Sequence, residues 1–201
     1  GEEASYRNYD PEFAGGSPGF PGFSPAHVTN HSRPNVGGYV DLEADVTKKF
    51  LVDVAGRFGR YSDFGSTLNG KLGLRYKVTD ALAFRGSVST GFRAPSLAQK
   101  YFNSTFTNFV NGQPVEVLLA NNNSAVTKAL GIPQLKQETS QNASLGITFT
   151  PVSGLSVTVD GYYVKVKDRV VLTGQFSDDD EDIGDLLKAL RVGKAQFFTN
   201  A

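Results

Sequence analysis

Five cations, Lys71, Arg75, Lys77, Arg85 and Arg93, stand an even number of residues apart along two neighbouring stretches of the chain. In an extended backbone that spacing gathers the charges of a stretch on one side, because successive side chains point to opposite faces. Such a face can hold an anionic ligand. A second group, Phe102, Phe106 and Phe109, follows at once and offers ring surfaces to an aromatic one. Arg75, Arg85, Arg93, Phe102, Phe106 and Phe109 are therefore the candidate ligand-binding residues.

Other suggestive spacings fall short of chemistry. Gly65-Ser66-Thr67-Leu68-Asn69-Gly70-Lys71 fills the first seven positions of a phosphate-binding loop, yet Leu72 replaces the Ser or Thr that would hold magnesium. A strand, not the required helix, follows it. His27 and His31 are four residues apart, as two metal ligands on one helix would be, but the surrounding prolines and glycines forbid the helix. The run Asp178 to Asp182 lacks the spacing and glycine of a calcium loop and reads as the acidic first turn of a helix. Neither a metal site nor a cofactor is expected. With both histidines in one Pro/Gly segment and no nucleophile-elbow string, a hydrolytic triad has no anchor, and the chain reads as a non-enzyme.

Composition narrows the partners. Twenty basic and twenty acidic side chains among 201 residues cancel, so no bulk charge draws the chain to nucleic acid. Cysteine is absent, which excludes disulfides and thiolate metal sites. Nowhere do eighteen apolar residues run together, so no transmembrane helix is expected, though a transmembrane strand protein needs none. Methionine is missing, and no basic-then-apolar signal segment follows Gly1, so the chain reads as processed or excised.

The elements that must position the cations are strands. From Leu68 to Val78, Leu68, Gly70, Leu72, Leu74, Tyr76 and Val78 share one phase while Asn69, Lys71, Gly73, Arg75 and Lys77 share the other. Leu82 to Arg93, Val40 to Val46, Val52 to Phe58 and Ala143 to Phe149 divide in the same way. Leu155 to Val170 does so until the Tyr162-Tyr163 pair blurs the phase. These stretches reach the roughly 9–11 residues that a tilted strand needs to cross a bilayer, against about 5–6 in soluble sheets. Connections near Thr47-Lys49, Thr79-Ala81 and Val152-Gly154 are short, whereas Pro95 to Lys136 and Thr173 onward are long. Short turns at one end and long loops at the other are the mark of an outer-membrane barrel. The expected fold is all-β, antiparallel strands of a transmembrane β-barrel, about six of them.

Three regions read as loops. Residues 1–36 form a Pro/Gly-rich extracellular loop ahead of the strands at 37–172. A long loop at 95–136 interrupts those strands, with a short helical stretch from Ser124 to Leu130. Residues 173–201 form a second extracellular loop carrying a helix from about Asp180 to Val192.

Three strings carry a resemblance. Gly91-Phe92-Arg93-Ala94-Pro95-Ser96-Leu97 resembles a signature of the TonB-dependent outer-membrane receptors, and Leu135-Lys136-Gln137-Glu138-Thr139-Ser140, followed by Leu145-Gly146, resembles the family's start of the next strand. Tyr162-Tyr163 with Val166-Lys167-Asp168-Arg169-Val170 is similar to its tyrosine-rich strand. Tyr39-Val40-Asp41-Leu42-Glu43 and Tyr61 to Thr67 fit as well, so the likeness covers nearly the whole chain. The resemblance implies a barrel of about 22 strands around a plug domain. It further implies an extracellular small-molecule ligand such as a ferric chelate, outer-membrane lipid around the wall, and an inner-membrane energy-coupling protein as partner. No stretch here resembles the plug or the coupling box, Ala201 is not the aromatic terminus such barrels present, and 201 residues supply only a slice of the wall. The alternative is a soluble β-rich binding or adhesion module.

Overall fold

A computed structural model describes residues 2–7, 28–110, 112–177, 183–185, 189 and 195–199. Strands β1 (Glu2–Arg7), β2 (Asn30–Thr47), β3 (Phe50–Tyr61), β4 (Gly65–Lys77) and β5 (Leu82–Arg93) come first. Helix α1 (Leu97–Tyr101), strands β6 (Ser104–Val110) and β7 (Gln113–Leu119) and helix α2 (Ala125–Ala129) follow, then β8 (Glu138–Val152), β9 (Leu155–Lys167) and β10 (Ala195–Phe198). By compactness the chain divides into two units. One comprises Gly1–Glu2, Pro34–Ala94 and Gln137–Arg169, the other Glu3–Arg33, Pro95–Lys136 and Val170–Ala201.

The seven-stranded sheet has the order β1-β2-β3-β4-β5-β8-β9, and the first unit holds β3, β4, β5, β8, β9 and β2 from Pro34 onward. Its consecutive strands from β2 onward pair antiparallel. Because register is continuous, the alternation read along each strand becomes alternation across the whole sheet. One rung of facing residues runs Leu72, Val88, Ala143, Tyr163, and another Ser87, Ser144, Tyr162. The blurred phase at Tyr162-Tyr163 resolves here, Tyr162 joining the polar face and Tyr163 the apolar one.

Among the described residues, none covers the apolar face. Leu68 is 79% exposed, Leu145 69% and Leu42 65%, in strands 12 to 18 residues long. Leu68 to Tyr76 covers about 27 Å of strand, which at the usual 35–45° tilt fills most of the ~25 Å apolar band of a membrane barrel. Aromatic rings edge the band toward the short turns, where Phe50 faces Tyr76 and Tyr76 faces Phe84. The turns are closed by their own side chains. Thr47 Oγ1 accepts from the N–H groups of Lys49 and Phe50 at 3.2 and 3.0 Å, Thr79 Oγ1 accepts from Ala81 N–H, and Gly154 takes the φ of +87° that the third turn requires.

The second unit is no structureless loop. The stretch 95–136 starts with α1, whose N-cap Ser96 and residue Gln99 form a reciprocal capping box. A hairpin of β6 and β7 comes next, and Gly112 at its turn has φ +77°. The Asn111-Gly112 dipeptide signals that hairpin in the sequence. The helix expected from Ser124 to Leu130 is α2, capped by Ser124. Ala120 and Val126 centre a small core against Leu118, Leu130, Phe176 and Ile183, and β10 adds to β7 as a parallel strand.

The segment 1–36 likewise holds more than loop, since β1 lies in it and β2 begins at Asn30. Pro34 lies just beyond the β2–β3 register, which begins at Asn35 opposite Tyr61, and its carbonyl accepts from Ser62 N–H at 3.2 Å. Most of the helix expected over Asp180 to Val192 lies outside the described residues, of which Ile183–Asp185 are helical.

Candidate functional site

The polar face of the sheet brings the predicted cations together with acids that no local pattern links to them. Arg75 on β4 faces Arg85 on β5, and Arg85 faces Gly146 on β8, which faces Asp160 on β9. Like charges directly opposite repel. Arg85 turns away, reaching over Gly146 to Asp160, with Nε and Nη2 donating to the two carboxylate oxygens at 3.0 and 2.5 Å. A Cβ at position 146 would stand against both the Asp160 carboxylate and Arg85 Nε, so the bidentate pair requires glycine there. Arg75 has no ion-pair or hydrogen-bond partner among the described residues.

Arg93, where β5 ends, faces Glu138, where β8 begins. Its Nε and Nη2 donate to the Glu138 carboxylate at 2.8 and 2.6 Å, and that carboxylate is only 9% exposed. The pair joins the two strings singled out in the sequence, Gly91 to Leu97 and Leu135 to Ser140, which are adjacent in the sheet though 45 residues separate their charges. Lys71 pairs with Asp53 on β3. Asp53 Oδ1 is buried without a hydrogen-bond partner among the described residues. Across β2 the same face carries Asp41, Glu43 and Asp45 opposite Ala55, Asp53 and Leu51. Charge is therefore graded along the wall, acidic on β2 and basic on β4 and β5. A groove of about 340 Å³ sits on this gradient, lined by Glu43, Asp53, Lys71, Arg75, Arg85 and Ser87 among others.

Phe102, Phe106 and Phe109 belong to the second unit. Phe102 closes α1, its N–H donating to Ala98 O at 2.9 Å. Phe106 faces Val117 and Phe109 faces Pro114 on the regularly paired β6. An odd offset in a regular strand puts Phe106 and Phe109 on opposite faces, so on β6 they do not make one aromatic patch. Phe109 is 69% exposed and Phe106 38%.

Sequence spacing missed Asp53, Glu138, Asp160 and Gly146. Their partners sit on other strands, and only register pairs them. Of the metal candidates, His27 lies outside the described residues, and His31 stacks on Tyr101 with ring centroids 3.7 Å apart. The phosphate-loop lookalike from Gly65 to Lys71 is the first half of β4.

Comparison with known proteins agrees with this geometry. Residues 1–200 match the family described as TonB dependent receptor-like, beta-barrel. A curated relative, the iron-regulated outer membrane virulence protein of Vibrio cholerae, is 25% identical over 142 residues, which are 71% of this chain and 19% of that protein. The chain thus spans about a fifth of the length of the curated relatives it matches. Among solved structures, a mutant ferric enterobactin receptor of Pseudomonas aeruginosa in complex with enterobactin superposes with a TM-score of 0.66 at 17% identity, over 98% of this chain and 27% of that one. The siderophore receptor PirA of Acinetobacter baumannii gives 0.57 at 22% identity, over 74% of this chain and 21% of that one. At these identities the structural likeness is one of fold.

Proposed function

The chain belongs to the TonB-dependent receptor-like β-barrel family, and from that premise we propose that it forms part of the wall of a receptor that binds a ferric chelate and imports it. It is a protein of the Gram-negative outer membrane, in a family of receptors. The observation that carries the proposal is a sheet with one graded, charged face and one bare apolar face, inside a family match running over residues 1–200. A water-filled lumen takes the charged face and lipid takes the other. Iron chelates come first as ligands because the curated relative is named for iron regulation and the structural neighbours include siderophore receptors.

Ligand capture falls to the basic part of the wall and to the second unit. Arg75, without a described partner, offers its charge directly. Arg85 and Arg93 hold Asp160 and Glu138 and contribute by exchanging partners with an anionic ligand. Phe102, Phe106 and Phe109 supply aromatic surface. Energy for uptake comes from an inner-membrane coupling protein.

The test is uptake of radioactive iron by a strain lacking the gene, grown under iron limitation and offered a panel of chelates. Loss of uptake for one chelate, its return with the wild-type gene, and its arrest when the proton gradient is collapsed are the expected results. Wild-type uptake of every chelate by the deletion strain would overturn the proposal. For Arg75→Gln the expected outcome is several-fold weaker chelate binding, as befits loss of a charge-assisted contact.

A further inference from the structure

The sheet is not paired to its end. β4 stays on β3 as far as Gly65 opposite Tyr61, and β5 on β8 as far as Arg93 opposite Glu138, yet β4 and β5 part beyond Lys71 and Ser89. At the parting, Gly70 N–H donates to Thr90 Oγ1 at 3.1 Å, a side chain standing in for the ladder carbonyl. In the same register Leu68 would next face Phe92, and that pairing is not made. Hollows of about 550 and 530 Å³ both reach Gly70, Lys71 and Thr90, so the sheet is thin along this seam.

Three rings meet across it. Tyr61 and Phe64, from the β3–β4 hairpin, stack with centroids 4.6 Å apart, and Phe92 of β5 stands edge-on to Tyr61 at 5.6 Å and 6.5 Å from Phe64. Tyr61 shares the phase of Asp53 and Arg57 on the polar face, whereas Phe92 shares that of Val88 on the apolar one. A ladder closed through Leu68 and Phe92 would stand between those two rings. The stack and the closed ladder therefore exclude each other. Keeping the stack has a cost, because Tyr61 lies back over Thr67: a Cβ on Gly59 would be 3.1 Å from the Tyr61 ring and 3.3 Å from Thr67 Oγ1. Thr67 is 4% exposed, and its Oγ1 has no hydrogen-bond partner among the described residues. A buried hydroxyl left unpaired stores strain.

We infer that the β3–β4 hairpin is a two-state flap on the β5–β8 pair, pivoting at Gly70, and that Tyr61, Phe64 and Phe92 form the latch that holds the seam open. With the latch made, ring contact offsets the unpaired hydroxyl and the missing ladder bonds. With it released, Leu68 pairs with Phe92, the rings part to opposite faces and water reaches the Thr67 hydroxyl. The seam lies at the long-loop end of the sheet. That its movement alters the outer rim of a barrel rests on the reading of this sheet as barrel wall; the latch itself rests on the register and the rings.

Residue-resolved hydrogen exchange of backbone amides, on the receptor expressed from its whole gene and held in mild detergent, tests the latch. Gly70 N–H points toward β5, so by the period of two Leu68 N–H does also. In wild type the Leu68 amide is expected to exchange at least about tenfold faster than that of Leu72, whose partner Val88 is in place. Phe92→Leu and Tyr61→Leu each remove a ring and keep apolar bulk, and in either the Leu68 amide is expected to slow by about tenfold as the seam closes. Thr67→Val keeps the rings and removes the orphaned hydroxyl, so Leu68 should exchange there as in wild type. Slow exchange at Leu68 in wild type, or ring variants that lose the mobility shift on boiling or leave Leu68 exchanging as fast as before, would overturn the latch while leaving the barrel standing. Absence of the boiling shift from wild type would overturn the wall reading instead, and the Leu68 amide would still decide the latch.

Discussion

A side chain at position 146 would stand between the Arg85 guanidinium and the Asp160 carboxylate, which meet across β8 only because glycine leaves room. Gly146→Ala is therefore expected to displace the bidentate contact, read as loss of the Arg85–Asp160 coupling in a double-mutant cycle, with little change in the urea midpoint, because both groups are ends of exposed, flexible side chains. Gly161→Ala is its control, since the nearest atom to that Cβ is Leu145 O at 3.9 Å, and no loss is expected there. The Arg93–Glu138 pair calls for a double-mutant cycle with Arg93→Gln and Glu138→Gln. A coupling of about 1 kcal/mol is expected, near the upper end for a pair whose arginine is more than half exposed. The arginines themselves were legible in the sequence as one face of a strand. Which of them are already engaged was not, because Asp160 lies 75 residues from Arg85 and only register makes them neighbours.

At the scale of elements, the period-two pattern is read out most cleanly by β4, where the apolar phase from Leu68 to Tyr76 lies on one face without a slip. The two faces should answer oppositely to the same substitution. Leu72→Arg, in the middle of the apolar band, is expected to cost about 2–4 kcal/mol and to reduce the yield of folded barrel, measured as the fraction that shifts mobility on boiling. Ser87→Arg, one strand away on the polar face, is expected to fold as wild type. The β6–β7 hairpin escaped the alternation argument because Ser104 to Val110 mixes threonines and asparagine with its phenylalanines. Its Asn-Gly turn was the readable signal. Gly112→Val forces a branched residue to φ +77°, a strain of about 1–2 kcal/mol. Faster limited proteolysis within 104–119, with the boiling shift of the barrel unchanged, is the expected outcome.

For the molecule as a whole, exposure decides between the two fold readings. A soluble module would bury the apolar strand faces in a core, whereas Leu42, Leu68 and Leu145 are each about two-thirds or more exposed, and the buried hydrophobic side chains of the described residues are few and small in reach. With so much uncovered apolar surface, and β1 and β9 at the edges of the sheet, the 201-residue chain made alone is expected to aggregate unless detergent is present. Size-exclusion chromatography with and without detergent measures this. A compact monomer in plain buffer would return the soluble reading to contention.

Strand length, the two-faced alternation and the contrast of short turns with long loops gave, from the sequence by itself, long two-faced strands with their cations on one face and the expectation of an antiparallel barrel wall. These are local properties, set by the period of two in an extended backbone. Tertiary structure alone decided which charges meet. It set Arg85 on Asp160 over a glycine, Arg93 on Glu138, and Arg75 without a described partner, and it split Tyr162 from Tyr163 between the two faces. The reason is physical: a pairing between strands depends on register, and shifting one strand by a single residue would exchange its faces while leaving its sequence pattern unaltered.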